Sequence, residues 1–478
     1  MADVKSLEER LAALEREVER LREENAALKA RVRDVESRNR ELEARVRRSS
    51  MNSSMPPSSD LPSVLRPRRV PTGRRPGWQP GHVGKTPAPY PRGEVDHLVP
   101  VVPPRCRKCR HRLAEKDVVG EPLRHQRVEI PPLLVEVIEY LLHAARCPDC
   151  GEVTRAELPE GVSQGLAGPR LQALAALLTG RFRLSRREAA EAIEAVGGPK
   201  ARLALGTIAA METRTSEALA AAYEEAKAEV REAPYVNADE TSWREARGKA
   251  WLWVATTELV KVFRIDRNRS KEAFERILPD FDGILGTDRW SAYRHHPKRK
   301  RQLCWGHLDR NFAGLEVMGG AAERLGVEGQ KSVDALFHSW HRFKRGEIDR
   351  PRLRREMAPI RKRFRWLIGL HENNPVGKAR AICRDLIKYF EGLWTFARVP
   401  GVEPTNNRGE QDIRKAVLWR KCSFGSMSEA GSRFAERMLT VCGSLRAQKR
   451  PILDYLEESI RDHLFGAPHP SLLPARGT

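Results

Sequence analysis

The sequence predicts a multidomain α/β protein: a mixed sheet covered by helices in its C-terminal half, preceded by a coiled coil, a zinc-binding ribbon and a helical domain. Three observations predict it. Apolar residues recur every seven positions near the N-terminus, two Cys-x-x-Cys pairs follow, and from residue 234 short apolar runs come first in succession and then in alternation with helical patterns. With 478 residues the chain can hold several domains, and 86 Lys and Arg against 64 Asp and Glu give a net charge of +22. Such a surplus attracts polyanions, DNA foremost, without specifying a sequence. No apolar run approaches the roughly 20 residues of a membrane helix, and the N-terminus is too charged for a signal peptide. The expected location is the cytoplasm, in association with the nucleoid. Eight cysteines over this length do not make a disulfide scaffold.

Residues 1–48 read as a dimerisation coiled coil. Leu7, Leu14, Leu21, Leu28, Val35 and Leu42 form one heptad series, and Leu11, Val18, Asn25, Val32, Asn39 and Val46 form the second, offset by four. Asparagine at two core positions favours a parallel homodimer in a single register. Residues 49–92 are dense in Pro, Gly and Ser and cannot build a core, so they read as a flexible basic linker. Its Arg68, Arg69, Arg74 and Arg75 are candidate DNA contacts, with a merely soluble tether as the alternative.

In residues 93–160, Cys106 and Cys109 pair with Cys147 and Cys150 across a gap wider than the usual ribbon spacing. Four thiolates suit a closed, structural Zn²⁺ site; redox thiols are the other reading. Val128–Ile130 and Leu133–Tyr140 are expected to be strands of that small ribbon. Residues 161–230 are helical. Leu171, Leu174, Leu177 and Leu178 line one face, Ser185 and Glu188 have capping-box spacing, Gly197-Gly198 ends the second helix, and Leu205-Gly206-Thr207 opens a third. These helices could form a helix-turn-helix with the third in a DNA groove, Arg186 and Arg187 being candidate contacts, or a packing bundle.

The catalytic domain is expected over 231–455, with strands at 234–239, 249–257, 259–265, 283–288 and 301–305 and helices at 270–278 and 307–318. Two of these strands end on an aspartate, Asp239 and Asp288, which would place both carboxylates at a strand mouth. Glu410, Ile413 and Val417 share a helical face, so Glu410 points inward from a helix that Thr405 or Asn406 can cap. Two aspartates and a glutamate that converge would make a hard-oxygen site for two Mg²⁺ or Mn²⁺ ions. The interval between Asp288 and Glu410 is too long for a strand and a loop, so a cationic helical insertion is expected at about 320–400. Beyond Glu410, Arg414 and Lys415 are candidate contacts to the scissile strand, and 456–478 reads as a C-terminal tail. His307, three residues after Cys304, is a candidate for a supporting role at the site. Cys304, Cys383, Cys422 and Cys442 read as core thiols.

The phrases Asn237-Ala238-Asp239-Glu240-Thr241, Thr287-Asp288-Arg289-Trp290-Ser291-Ala292-Tyr293, Cys304-Trp305-Gly306-His307 and Pro404-Thr405-Asn406-Asn407-Arg408-Gly409-Glu410 resemble the catalytic blocks of the bacterial insertion-sequence family sixty-six transposases. The resemblance runs from about residue 50 to about residue 455 and includes two phrases of the linker. It implies an RNase-H-like fold, a DDE site formed by Asp239, Asp288 and Glu410, terminal inverted repeats and target DNA as substrates, and co-encoded helper proteins. Arg289-Trp290 stands where the family pattern leads one to expect Gly-Tyr, and Asp309 where it leads one to expect a basic residue. The implied function is a transposase that cuts transposon ends and joins the 3′-hydroxyl to target DNA. A non-enzymatic zinc and coiled-coil DNA-binding regulator, or another RNase-H-like nuclease, is the alternative.

Overall fold

A computed structural model of the chain describes residues 2–46, 89–128, 135–160, 162 and 165–474. The first element, α1 (Ala2–Val46), is one uninterrupted helix. Its seam is bare: Leu14, Val18, Leu21, Leu28, Val32 and Val35 are all exposed. Residues 49–88 of the expected linker, with Arg68, Arg69, Arg74 and Arg75, lie outside the described residues.

The cysteine segment corrects one expectation. Val128 and residues 135–140 carry no strand, the rest of the expected pair lies outside the described residues, and Val137 and Ile138 are exposed. The ribbon is instead β1 (Ala144–Arg146) and β2 (Val153–Arg155), antiparallel with Ala145 opposite Thr154. The reason is local. The turn from Cys147 to Gly151 folds the chain back on itself and sets that register, whereas β-branched composition alone supplies no partner strand.

Four helices follow: α2 (Pro169–Ala176), α3 (Arg186–Gly197), α4 (Leu205–Ala218) and α5 (Ala220–Glu232). The capping box at the start of α3 is formed: Ser185 Oγ accepts from the Glu188 amide at 3.2 Å and the Glu188 carboxylate accepts from the Ser185 amide at 2.8 Å. Leu171, Leu174 and Leu178 pack around Ile193, Ile208 and Met211, while Leu177 turns to the main core. The third helix is packed along part of its length, while Leu205 and Gly206 at its start are exposed. α4 packs against α2 and two later helices and buries Ile208, Met211 and Thr215, because its apolar face is wide enough to need cover on both sides.

The sheet has five strands, β3 (Tyr235–Glu245), β4 (Gly248–Thr256), β5 (Lys261–Asp266), β6 (Ile284–Thr287) and β7 (Arg301–Leu303), in the order β5-β4-β3-β6-β7. The first three are antiparallel neighbours; β6 and β7 run parallel to β3. α6 (Lys271–Ile277) lies between β5 and β6 in the chain, and α7 (Trp305–Met318) follows β7. The stretch before Glu410 is helical, as its composition predicts: α8 (Glu323–Lys344), α9 (Arg350–Leu370), α10 (Gly377–Lys388) and α11 (Thr395–Arg398). With α7 these helices close a core of their own around Trp305, Phe312, Phe364 and Trp394.

The chain then returns to the sheet through α12 (Asn407–Ser423), α13 (Glu429–Ala447) and α14 (Ile452–Phe465). The segment expected to be a tail carries most of α14, and Leu456, Ile460 and Leu472 are buried in the main core. Spaced apolar residues at 456, 460 and 464 make this a packed helix.

Candidate active site

The parallel pairing of β3 and β6 ends at Asn237 opposite Gly286. Asp288 is the first residue beyond β6, and Asp239 lies two residues past the last pair. The sequence places Asp239 at the end of its strand, and the structure does not. β3 continues to Glu245 as the antiparallel partner of β4, with Asp239 opposite Val254. The polar run Asp-Glu-Thr stays extended because β4 offers it a complete ladder of hydrogen bonds. The mouth is therefore made by the short strand β6 stopping beside a long one.

Glu410 sits in the first turn of α12, which packs on β3 and β4. Its charge reaches Asp239. Burial pushes the Asp239 carboxyl well above its usual range, and the negative charges of Glu240, Asp288 and Glu410 push it further. The two aspartates and Glu410 thus share one electrostatic field.

What brings α12 to this place is Asn406. It stands at the N-cap of α12 but makes no capping bond with its side chain. Its amide nitrogen donates to the Ala238 carbonyl at 2.9 Å, and its amide oxygen accepts from Asn237 Nδ2 at 2.8 Å. Its backbone N–H donates to Cys304 Sγ at 3.2 Å. One residue therefore ties α12 to the strand of Asp239 and to the start of α7. Two glycines make room. A Cβ on Gly409 would come within 3.0 Å of the Asn406 amide, and one on Gly286 within 2.7 Å of Asn237 Nδ2 and the Tyr235 hydroxyl.

His307 and Arg310, on successive turns of α7, both reach Glu410 Oε1, at 3.4 Å each. Burial lowers the His307 pKa against the pull of Glu410. Its Nδ1 is buried without a hydrogen-bond partner among the described residues. Asp288 is held from two sides. Its Oδ1 accepts from the Trp290 amide at 2.8 Å, and Arg301, 1% exposed, donates to the Asp288 carbonyl at 3.1 Å and to Thr287 Oγ1 at 3.0 Å.

The departure at Arg289-Trp290 has a use. Arg289 pairs with Asp385 of α10 at 3.1 Å and donates to Asn311 of α7, so the loop after Asp288 is fastened to the helical insertion. Trp290 lies 3.8 Å from the Arg269 guanidinium, which also covers Trp251 at 4.7 Å and pairs with the buried Glu240 at 2.5 Å. Tyr293 donates its hydroxyl to that same carboxylate. Asp309, the second departure, is partly buried, and its carboxyl is raised by burial and by Asp334. Asn237, Arg301 and Arg310 were not singled out from sequence, and Asn406 only as a possible helix cap. The two asparagines stand inside the motif phrases, where a buried asparagine is indistinguishable from a surface one.

The donor set fits divalent cations. Three carboxylates in one field offer hard oxygens, and the His307 nitrogen 3.4 Å from Glu410 has no hydrogen-bond partner among the described residues. Among the described residues, the trio of possible ligand atoms lying within 4.8 Å of one another is Cys304, His307 and Glu410; the aspartates stand farther out. The thiol of that trio is buried, pushed up to about 11 and engaged by the Asn406 amide, so it is poorly disposed to bind as a thiolate.

The four outer cysteines form two matching turns. Arg110 N donates to the Cys106 carbonyl and Gly151 N to the Cys147 carbonyl, each at 3.0 Å. Backbone N–H groups of Cys109 and Lys108 lower the Cys106 pKa, and those of Cys150 and Asp149 lower that of Cys147. No three of these thiols lie within 4.8 Å of one another among the described residues. Of the candidate DNA contacts, Arg186 is engaged by Glu212 at 2.7 Å, Lys415 lies 3.4 Å from Asp412, and Arg187 and Arg414 are exposed.

A family model described as transposase IS66 family matches residues 164–434, more than half of the chain. A second model, described as a family of unknown function, matches residues 3–88. Two uncharacterised proteins of Sinorhizobium fredii are similar. One, y4qI, is 26% identical over 238 residues, 44% of this chain and 43% of that protein. The other, y4jD, is 25% identical over 390 residues, 74% of this chain and 73% of that protein. The chain therefore spans less than half the length of the first and about three quarters of the second. Among the described residues no helix is long and apolar enough to cross a membrane.

Proposed function

We propose, from the premise that the chain belongs to the transposase IS66 family, that it is a DDE transposase whose catalytic carboxylates are Asp239, Asp288 and Glu410. The observation that carries this reading is the field those three residues share at the mouth between β3 and β6, where the charges of Asp288 and Glu410 bear on a half-buried Asp239. The strand order β5-β4-β3-β6-β7, three antiparallel strands followed by two parallel ones, supports an RNase-H-like sheet.

Bound Mg²⁺ or Mn²⁺, two ions held by these carboxylates, would activate a nucleophile and neutralise charge on the leaving oxygen of a phosphodiester. The chain's own residues do the rest. Asn406 fixes the approach of Glu410 to Asp239, Arg301 and the Trp290 amide hold Asp288, and His307 with Arg310 restrains the Glu410 carboxylate. Water would cut at the element's end, and the freed 3′-hydroxyl would attack target DNA by direct transesterification. Terminal inverted repeats are the proposed substrate, with co-encoded helper proteins as partners.

The bare heptad seam of α1 supports a parallel homodimer, since six exposed apolar side chains on one stripe are stable only when covered. The two cysteine turns support a structural Zn²⁺ held by Cys106, Cys109, Cys147 and Cys150. The test is incubation of the full chain with supercoiled plasmid and Mg²⁺ or Mn²⁺. Nicking by the wild type that Asp288→Asn abolishes, with DNA binding unchanged, is expected. Binding without any nicking would reduce the protein to a DNA-associating regulator.

A further inference from the structure

Away from the carboxylates, the helical insertion carries a groove between α9 and the segment Phe390 to Arg398. Five cations line it, Arg354, Arg361, Lys362, Arg365 and Arg398, against a single carboxylate, Glu391. Four of the five lie on one face of α9, at helical spacings of one, three and seven residues. Glu391 is already committed to Arg361 at 2.6 Å and Arg398 at 3.5 Å. Arg354, Lys362 and Arg365 are exposed and have no carboxylate in ion-pair range among the described residues.

The floor is as informative as the rim. Met357, Phe390 and Trp394 form it, with the Arg365 guanidinium held 4.9 Å from the Phe390 ring. Trp394 is 1% exposed, yet its indole N–H has no hydrogen-bond partner among the described residues. One turn beyond Lys362, Trp366 is 58% exposed beside the cationic face. From Arg354 to Arg365 the helix rises about 16 Å, roughly five nucleotide steps along one strand.

We propose that this groove binds the phosphate backbone of DNA outside the cleavage site, as a second contact held by the insertion. Unpaired cations spread along one helix face and an exposed indole beside them favour a polyanion with aromatic bases over a small anion. The inference rests on the reading of the protein as one that processes DNA, but the groove and the carboxylates can fail separately.

The test uses the full chain and a random-sequence duplex, with binding followed by fluorescence anisotropy over a range of salt. In the variant Arg354→Gln/Lys362→Gln/Arg365→Gln the slope of log affinity against log salt should shrink by about 2–3, for three lost phosphate contacts. A control with equal charge loss at exposed sites, Lys200→Gln/Lys271→Gln/Lys449→Gln, should move it by less than about one. Equal slopes for wild type and groove variant, with unchanged melting, overturn the proposal; so does equal loss in both variants, which would make the effect one of net charge. Competition by inorganic phosphate alone as strong as by DNA would assign the groove to a small anion and overturn it as well. If the slope falls as expected while the wild type never nicks plasmid, the groove stands and the transposase reading falls.

Discussion

The helix α12 carries two acidic residues two positions apart, and they live in opposite electrostatic worlds. Asp412 is buried with its charge answered: Lys261, itself only 8% exposed at its side chain, pairs with it, Thr256 donates to it at 3.0 Å, and Lys415 stands 3.4 Å away. Glu410 faces the other way, into a field of carboxylates where Asp239, Asp288 and Glu240 accumulate and Asp239 is driven up by its neighbours. Burying a charge without a partner costs several kcal/mol, so a fold that needs a carboxylate only for structure brings a cation with it. The site at the mouth of β3 and β6 has not done so for its aspartates. Within that cluster Arg269 answers Glu240 and Arg310 stands 3.4 Å from Glu410, while Asp239 and Asp288 have no ion-pair partner among the described residues.

The strongest way to break this contrast is Asp288→Asn. Divalent-dependent nicking should fall at least about 10³-fold while the protein stays folded, as read by plasmid relaxation and thermal melting. Survival of nicking would show that the cluster is not the catalytic one. On the other side of the helix, Lys261→Met should leave Asp412 buried and unpaired and cost about 3–5 kcal/mol in urea unfolding, with nicking per folded molecule preserved. The double change Lys261→Met/Asp412→Leu should recover most of that loss, and failure to recover would mean that Asp412 serves more than its lysine.

Asn406→Ala sharpens the contrast by loosening the hinge between the two sides. Loss of its bonds to Ala238 and Asn237 should lower kcat about 10²-fold with little change in KM, since it shifts Glu410 without touching DNA. A change confined to stability would assign Asn406 a purely structural part.

The smallest effect concerns a third kind of carboxylate. Glu436 on α13 is 1% exposed, and burial outweighs Arg433 to push its carboxyl up to about 7. A folded pKa raised above the unfolded 4.5 means stability that is full below pH 4.5 and is lost as pH rises through about 7. The loss amounts to about 3 kcal/mol, and Glu436→Gln should flatten that part of the pH profile of chemical denaturation. An unchanged profile would show that Arg433 fully compensates the charge.

Much of this was legible in the chain because the relevant patterns are local. The heptads of α1, the Ser185 capping box, the strand-length runs at 235–239 and 284–287 and the helical face of Glu410 each need only a few neighbouring residues to be read. Patterning could not place the ribbon strands beside the cysteines or the burial of α14, since both depend on which partner surface is available. Nor could it show that Asn406 forgoes its cap.

The sequence by itself determined the order of elements, the basic character of the chain and the acidic residues from which a site could be made. Tertiary structure decided which of those acids would be neutralised. The Lys261 to Asp412 pair spans 151 residues and the Asn406 to Ala238 bond 168. Periodicity reports how a segment meets water, whereas the partner of a buried charge is chosen only when distant segments pack and solvent is expelled between them.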